Sequence, residues 1–253
     1  MPQKYSNRHL EPAKIILTLE RLQARIEERF PDSGLASVCA EVATEARRVA
    51  TEASTLSRPS WPLRIAVFAL AGFGLVAQFA AARYFHFERV GESSELLQAL
   101  EAAVNLLILF GGAVWFLLSL EERIKRRKAL DGLYGLAALA HVVDMHQLTK
   151  DPTVMLTPHL RTRASPARTM TRFQLTRYLE YCAELLALIG KLAALYGERM
   201  RDSVVINVVN DTETLSTNLG RKIWQKIMII GELTDDPTTP PPQSEPNAPP
   251  KTA

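Results

Sequence analysis

The sequence has little of what marks a secreted or catalytic protein. Only two cysteines, Cys39 and Cys182, occur in 253 residues, and both fall in predicted cytoplasmic helices, so no disulfide framework is expected. Residues 1–8 are polar and no apolar core of a cleavable signal follows them, so we expect the first apolar span to direct membrane insertion. A glycine-rich phosphate loop and a catalytic motif are both missing. We therefore predict a non-enzymatic protein without a cofactor.

Two uncharged apolar runs dominate the chain instead. Residues 65–82 and 102–120 are each about as long as a helix needs to be to cross a ~30 Å hydrocarbon layer at ~1.5 Å per residue. A short polar link, residues 83–101, joins them. This pattern predicts an all-α integral membrane protein, with a two-helix transmembrane hairpin and cytosolic helical regions on both sides of it.

The distribution of Lys and Arg predicts the orientation. The link between the spans carries only Arg83 and Arg89, whereas both outer flanks are basic. Because cytoplasmic flanks are enriched in Lys and Arg, both termini should be cytoplasmic in a multi-pass protein of the bacterial inner (plasma) membrane. The flank after the second span should also meet anionic lipid headgroups, through Arg123, Lys125, Arg126, Arg127 and Lys128.

Apolar periodicity predicts the other helices. They should cover about residues 12–30, 35–56 and 171–200, a continuation of the second span to Leu148, and 203–230, which Gly231 should end. The second of them has a narrow, alanine-rich seam of coiled-coil type, which packs within the N-terminal hairpin, on the C-terminal region, or on a partner. The predicted regions are a cytosolic helical hairpin (1–60), the transmembrane hairpin (61–122), a cytosolic helical region (123–231) and a disordered proline-rich tail (232–253).

Polar and small residues inside the two spans predict packing within the membrane. Gly74 and Gln78 share a face of the first span, and Asn105 and Gly112 share a face of the second. Because unpaired polar groups in hydrocarbon are costly, we predict a hydrogen bond between Gln78 and Asn105 across a contact of small residues. The alternative is that these faces line a pore in an oligomer.

A second basic run follows the helix that ends at Leu148. No acidic residue occurs between Asp151 and Glu180, and Arg161, Arg163, Arg168 and Arg172 lie in this interval. Arginine side chains suit phosphate groups. We rank an anionic membrane surface first as the partner, a nucleotide second and nucleic acid last, because the run lacks interleaved aromatic residues.

The segment around His141, Asp144 and His146 invites a metal-site interpretation. His141 and Asp144 are three residues apart and share a helix face, whereas His146 is rotated by roughly 140° from His141. A zinc site would need further ligands, such as His159 or Glu184. We therefore favour a hydrogen-bonded His–Asp pair and rank a metal site built on His141 and Asp144 below it.

Two stretches carry a resemblance. Residues 141–152 and 220–227 resemble segments of uncharacterised bacterial two-pass membrane proteins. The order of elements alone is similar to that of SLATT-type proteins, in which a two-span hairpin joins a cytosolic helical part. That likeness implies a membrane effector of nucleotide-linked conflict systems. It assigns no site residue in this chain.

The function expected from these features is a membrane-anchored interaction or effector/signalling module. It should form homo-oligomers and receive a protein or anionic signal. An oligomeric channel or pore and a metal-dependent enzyme using His141 and Asp144 are the alternatives.

Overall fold

The computed structural model describes residues 9–56, 61–84, 93–152, 163–164 and 170–235. Within these residues the chain forms six α-helices and no β-strand, which confirms the all-α prediction. The helices are α1 (Pro12–Arg29), α2 (Gly34–Leu56), α3 (Trp61–Tyr84), α4 (Ser93–Leu148), α5 (Arg172–Arg199) and α6 (Ser203–Asp235).

Local sequence signals set where the helices begin. Proline occupies the first position of α1, where its missing N–H removes no helical hydrogen bond. The Ser33 hydroxyl accepts a hydrogen bond from the Ala36 amide at 3.2 Å and so caps α2. Thr171 and Gln174 form a reciprocal capping box at the start of α5. These starts lie within one residue of the predicted ones.

The prediction that Gly231 ends the last helix is wrong, because α6 continues to Asp235. A glycine inside a helix costs only about 1 kcal/mol relative to alanine, and hydrogen bonding on both sides outweighs that cost. The helix stops instead shortly before Pro237, which disfavours helical backbone in the residue before it. The predicted tail lies outside the described residues from 236 onward, as does most of the predicted loop 153–171.

Residues from the two regions that were predicted to be cytosolic, 1–60 and 123–231, form one apolar core together. It joins α1, α2, the second half of α4, α5 and α6, and its largest fully buried side chains include Leu19, Ile26, Leu35, Leu133, Leu136, Leu185, Leu186 and Ile189. The N-terminal hairpin therefore packs on the C-terminal region, which is one of the arrangements left open by the sequence.

Contacts along the bundle fix the direction of its helices. At one end, which we call the near end, α4 leaves the bundle toward its apolar half and Arg126 pairs with Asp202 at the start of α6. At the other, the far end, α4 finishes and Lys226 of α6 reaches Gln147. Tyr196 lies beside Gly132, which makes α5 antiparallel to α4. The chain thus enters and leaves the bundle at its near end through α3 and α4.

One helix among the described residues is long and apolar enough to cross a membrane. It is the segment Val104–Leu148 of α4, and only 6% of its most apolar window is buried, unlike the core helix of a water-soluble protein. In α3 the corresponding described stretch is shorter, Arg64–Gly74. The structure thus supports the second predicted span, residues 102–120, as a candidate, and the first, residues 65–82, remains a prediction.

Candidate functional site

The neck of the molecule, where α3 and α4 leave the bundle, holds a buried carboxylate. Glu121 is only 7% exposed, and its Oε1 accepts from Lys125 Nζ at 2.7 Å while its Oε2 lies 3.5 Å from Arg64 Nε. A buried carboxylate is stable when it is paired, and removing one partner of such a pair typically costs about 3–5 kcal/mol. This cluster therefore ties the start of α3 to α4.

A second ion pair continues the neck toward α6. Arg126 donates to Asp202 Oδ2, with nitrogen–oxygen distances of 2.6 and 2.8 Å. Asp202 also accepts from the amides of Val204 and Val205 and so caps α6. Although desolvation acts in the opposite direction, the hydrogen bonds from Arg126 and from these amides lower the pKa of Asp202. Consecutive turns of α4 are thus bound to α3 and to α6.

Some of the basic residues proposed from sequence as anion ligands are engaged in ion pairs, and others are exposed. In the cluster after the second predicted span, Lys125 and Arg126 are engaged in the neck, and the exposed members are Arg123, Arg127 and Lys128. In the second run, Arg161 and Arg168 lie outside the described residues, Arg163 is exposed, and Arg172 is half-buried at the start of α5.

The first basic group and Arg172 of the second lie at opposite ends of the bundle. Residues 123–128 are at the near end, whereas Arg172 opens α5 at the far end, because Tyr178 of α5 lies against Lys150 just beyond the end of α4. Leu148 is about 42 Å along α4 from Leu120, at ~1.5 Å per residue. A bilayer that α4 crosses at the near end therefore does not reach Arg172, and the lipid surface ranked first for the second run remains a prediction.

The side chains of His141 and Asp144 do not form the predicted hydrogen-bonded pair. His141 is exposed, whereas Asp144 Oδ1 accepts from Gln147 Nε2 at 2.5 Å. Of the ligands suggested for a zinc site, Glu184 pairs with Arg25 at 2.5 Å, and His159 lies outside the described residues. The described part of the chain contains no group of three or more His, Cys, Asp or Glu side chains placed to hold a metal ion. This geometry gives no support to the metal-site alternative.

Gly74 of α3 packs against α4, but its neighbour there is Phe110 and not a small residue of the predicted contact. A Cβ on Gly74 would lie 2.5 Å from the Phe110 ring, so the glycine permits the close approach of α3 to α4. Asn105 and Gly112, in contrast, are exposed. Asn105 precedes Phe110 by five residues, a rotation of about 140°, which places it on the side of α4 away from α3. The side chain of Gln78 lies outside the described residues, so its bond to Asn105 remains a prediction.

The side of α4 away from the core carries a row of exposed residues. Tyr134 is 59% exposed, Met145 65% and Leu148 54%, and Ala138 and His141 between them are exposed as well. Their spacing of four, three, four and three residues is that of a coiled-coil seam. We call these five residues the outer stripe. Asn105 lies about eight turns before Tyr134 at ~3.6 residues per turn, and so on the same side of a straight helix.

Sequence reasoning missed a polar cluster under the far end. Lys226 Nζ donates to the backbone oxygen of Gln147 at 2.9 Å and to its Oε1 at 2.5 Å, and Gln147 is only 1% exposed. Desolvation lowers the pKa of Lys226, which nearby Asp151 and Asp144 partly offset. The available signal was a lysine at a core position of the apolar repeat of α6, between Ile223 and Ile230.

Both cysteines are buried, as expected of small core side chains. Burial raises the pKa of the Cys39 thiol to about 12, with a smaller contribution from Glu27. Burial likewise raises the pKa of the Cys182 thiol to about 12, against the opposing effect of Lys226. Neither thiol has the character of a nucleophile or metal ligand.

No protein-family model, curated protein or solved structure matches the chain.

Proposed function

We propose that this protein is a non-enzymatic, membrane-anchored signalling or effector module that works as a homo-oligomer. Its helical bundle receives a protein or anionic signal in the bacterial cytoplasm. Its apolar helices, α3 and α4, form a two-helix hairpin in the inner membrane, with both termini on the cytoplasmic side. The signal passes between these two parts through α4.

The continuity of α4 is the observation that carries this proposal. The helix runs for 56 residues, about 84 Å at ~1.5 Å per residue, from the apolar half to the far end of the bundle. Its apolar half is exposed, whereas Leu133, Leu136 and Val143 in its other half are fully buried in the core. Since one rigid element belongs to both parts, a tilt or rotation imposed on it in the bundle also reaches the membrane half.

The outward side of α4 supports assembly with further copies. Asn105 faces away from α3, and a polar amide in hydrocarbon requires a hydrogen-bonding partner. The position that a Cβ of Gly112 would take is open, which leaves room for a second helix to approach closely. Copies anchored in one bilayer share the same orientation. Their α4 helices are therefore parallel, and equal positions of the outer stripe meet at equal heights.

Cysteine cross-linking in native membranes tests this arrangement. Met145→Cys lies on the outer stripe, and Gln225→Cys is an exposed control on α6 at a similar height, next to the Lys226 that reaches Gln147. The native thiols are buried with raised pKa values, so the parent chain should not cross-link. We expect a covalent dimer from Met145→Cys and little from Gln225→Cys. Equal yields from both, or no dimer from Met145→Cys, would contradict the assembly.

Reporter fusions test the membrane part separately. A cytoplasmic reporter should be active at both ends of the chain, and the protein should require detergent for extraction from membranes. Reporters active on opposite faces would contradict the hairpin. A protein that stays in solution without detergent would contradict membrane anchoring altogether.

A channel built from several hairpins is the second candidate, and the exposure of Asn105 favours it. In that arrangement Asn105 and Gly112 line a pore rather than a helix–helix contact. Ion flux through liposomes containing the purified protein, reduced by Asn105→Leu, would support a channel. Full cross-linking of Met145→Cys without flux would favour the signalling module.

A further inference from the structure

The far end of the bundle carries an arginine-lined pocket between α1 and α5. Its volume is about 350 Å³, within the range of small-molecule sites, and Arg25, Glu28, Arg29 and Tyr181 line it. The lining residue Tyr181 packs edge to face with Phe30 at a centroid distance of 6.3 Å, and Phe30 also contacts Tyr178 at 5.5 Å. The pocket is open to solvent, and its base is packed against the core.

Two arginines flank an exposed aromatic ring beside this pocket. The guanidinium carbon of Arg29 lies 5.2 Å from the centroid of the Phe173 ring, and that of Arg177 lies 5.7 Å from it. The ring is 59% exposed although a phenylalanine has no polar atom to offer water. An exposed aromatic ring with cationic groups beside it is suited to stack against the neutral flat ring of a ligand whose negative charge lies on another group.

The charges around the pocket single out Arg29. Arg25 is paired with Glu184 at 2.5 Å and Arg177 with Glu180 at 2.6 Å. Arg29 forms no ion pair with any residue that the structure describes. Its guanidinium therefore keeps its donors for an external anion, and a planar guanidinium matches a phosphate group well. Phe173 is the second residue of α5, so the positive end of that helix dipole lies on the same side.

We propose that this pocket binds a purine nucleoside monophosphate. Its phosphate pairs with Arg29, its base stacks on Phe173, and a ribose hydroxyl or an exocyclic amine donates to Glu28. One phosphate fits the local charge better than three, because the pocket holds a single unpaired arginine and the carboxylates of Glu28, Glu180 and Glu184 are near. The proposal names the anionic signal of the proposed function and rests on that function only for its biological role.

Isothermal titration of the full-length protein in detergent tests the proposal with AMP and GMP. Inorganic phosphate, adenosine and ATP are the comparison ligands. We expect saturable binding of at least one monophosphate, and at least 10-fold weaker binding of phosphate alone, adenosine and ATP. If inorganic phosphate bound as tightly as AMP and GMP, the pocket would be a simple anion site and the proposal would be overturned. Adenosine or ATP that bound as tightly as the monophosphates would also overturn it. Absence of saturable monophosphate binding at millimolar concentration would also overturn it.

Two variants of exposed residues locate the site. Arg29→Gln removes a charge-assisted hydrogen bond and should weaken monophosphate binding about 10-fold to 100-fold. Phe173→Ala removes the stacking ring and should weaken it about 5-fold or more. Arg201→Gln, which removes an exposed charge at the near end, and Met228→Ala, which removes an exposed apolar side chain of α6, are the matched controls. Control variants that lose as much affinity as the pocket variants would overturn the assignment.

Because cross-linking and reporter fusions need no nucleotide, failure of this test is distinguishable from failure of the proposed function.

Discussion

Gly132 allows α4 to lie directly against α5, and adding one methyl group there should damage the bundle. A Cβ at this position would lie 2.7 Å from Tyr196 Cζ and closer still to its Oη. Tyr196 is fully buried and donates to Glu52 Oε2 at 2.8 Å. The ring therefore has no open space to move into, and any displacement weakens its bond to Glu52.

The expected change in the free energy of unfolding is the sum of one stabilising and two destabilising contributions. Replacing a helical glycine by alanine gains about 1 kcal/mol in helix propensity. Forcing a methyl group into a packed core costs about 1–3 kcal/mol, and weakening a hydrogen bond to a charged group costs about 1.5–3 kcal/mol. We therefore expect Gly132→Ala to lower the free energy of unfolding by about 1.5–5 kcal/mol. At about 2–4 °C per kcal/mol for a chain of this size, the Tm should fall by about 3–20 °C.

Thermal unfolding in mild detergent, followed by circular dichroism at 222 nm, measures this effect. Gly135→Ala is the matched control, because a Cβ there would meet Glu45 Oε1 at 3.5 Å and Arg48 Nη2 at 3.9 Å, both ordinary contact distances. The control should be neutral or slightly more stable. In the double variant Gly132→Ala/Tyr196→Phe the two effects should be less than additive, because loss of the hydroxyl removes the closest contact. A Gly132→Ala protein as stable as the Gly135→Ala control would refute the close approach of α4 and α5.

Two further predictions concern polar groups at the two ends of the bundle. Lys226→Met should destabilise the bundle by about 1–3 kcal/mol, because it leaves Oε1 of the buried Gln147 without its donor. Since the folded pKa of Lys226 is lowered, its charged form opposes folding, and this opposition fades as the pH rises through the folded pKa toward 10.5. Unfolding scans from pH 7 to 10 should therefore show a growing stability difference between the parent and Lys226→Met, with Lys222→Met as an exposed control. Asp202→Asn should keep the helix cap but lose the charge of the Arg126 pair, so its stability should fall less steeply than that of the parent as the pH drops below about 4. The parent loses stability there as the pH falls through the lowered pKa of Asp202.

The sequence predicted the helices well because their signals are local. The start of α1 follows from Pro12, that of α5 from Thr171, and the continuation of the second span to Leu148 from the lack of a helix breaker. The first turns of α4, from Ser93, lie in the segment that was predicted as a polar link. The end of α6 was misplaced because Gly231 was taken as a stop. A glycine ends a helix only when the chain beyond it turns away, and the sequence around this position contains no such turn.

The candidate site was harder to predict because it depends on which helices meet. Nothing in the spacing of Arg29, Phe173 and Arg177 shows that the end of α1 and the start of α5 are neighbours. The same holds for Gln147 and Lys226, which are close in space and far apart along the chain. Helical periodicity gives the face on which each residue lies, whereas the pairing of faces is a property of the folded bundle.

Two exposed arginines on the outward side of α4 should make the assembly of parallel copies depend on the charge of the lipid. Arg123 and Arg127 lie between Asn105 and Tyr134 on the outward side of α4, and both are exposed. In a parallel dimer they meet their own copies at the ~8–10 Å separation of packed helices, where like charges repel. Placed just beyond the second predicted span, they also stand where anionic headgroups accumulate, and a phosphate between two arginines turns that repulsion into attraction. The Met145→Cys cross-link should therefore form more readily in anionic vesicles than in neutral ones, and Arg123→Gln with Arg127→Gln should remove the difference. A cross-link equally strong in neutral lipid would mean that the two arginines do not face each other, and the contact between copies would then lie on another side of α4.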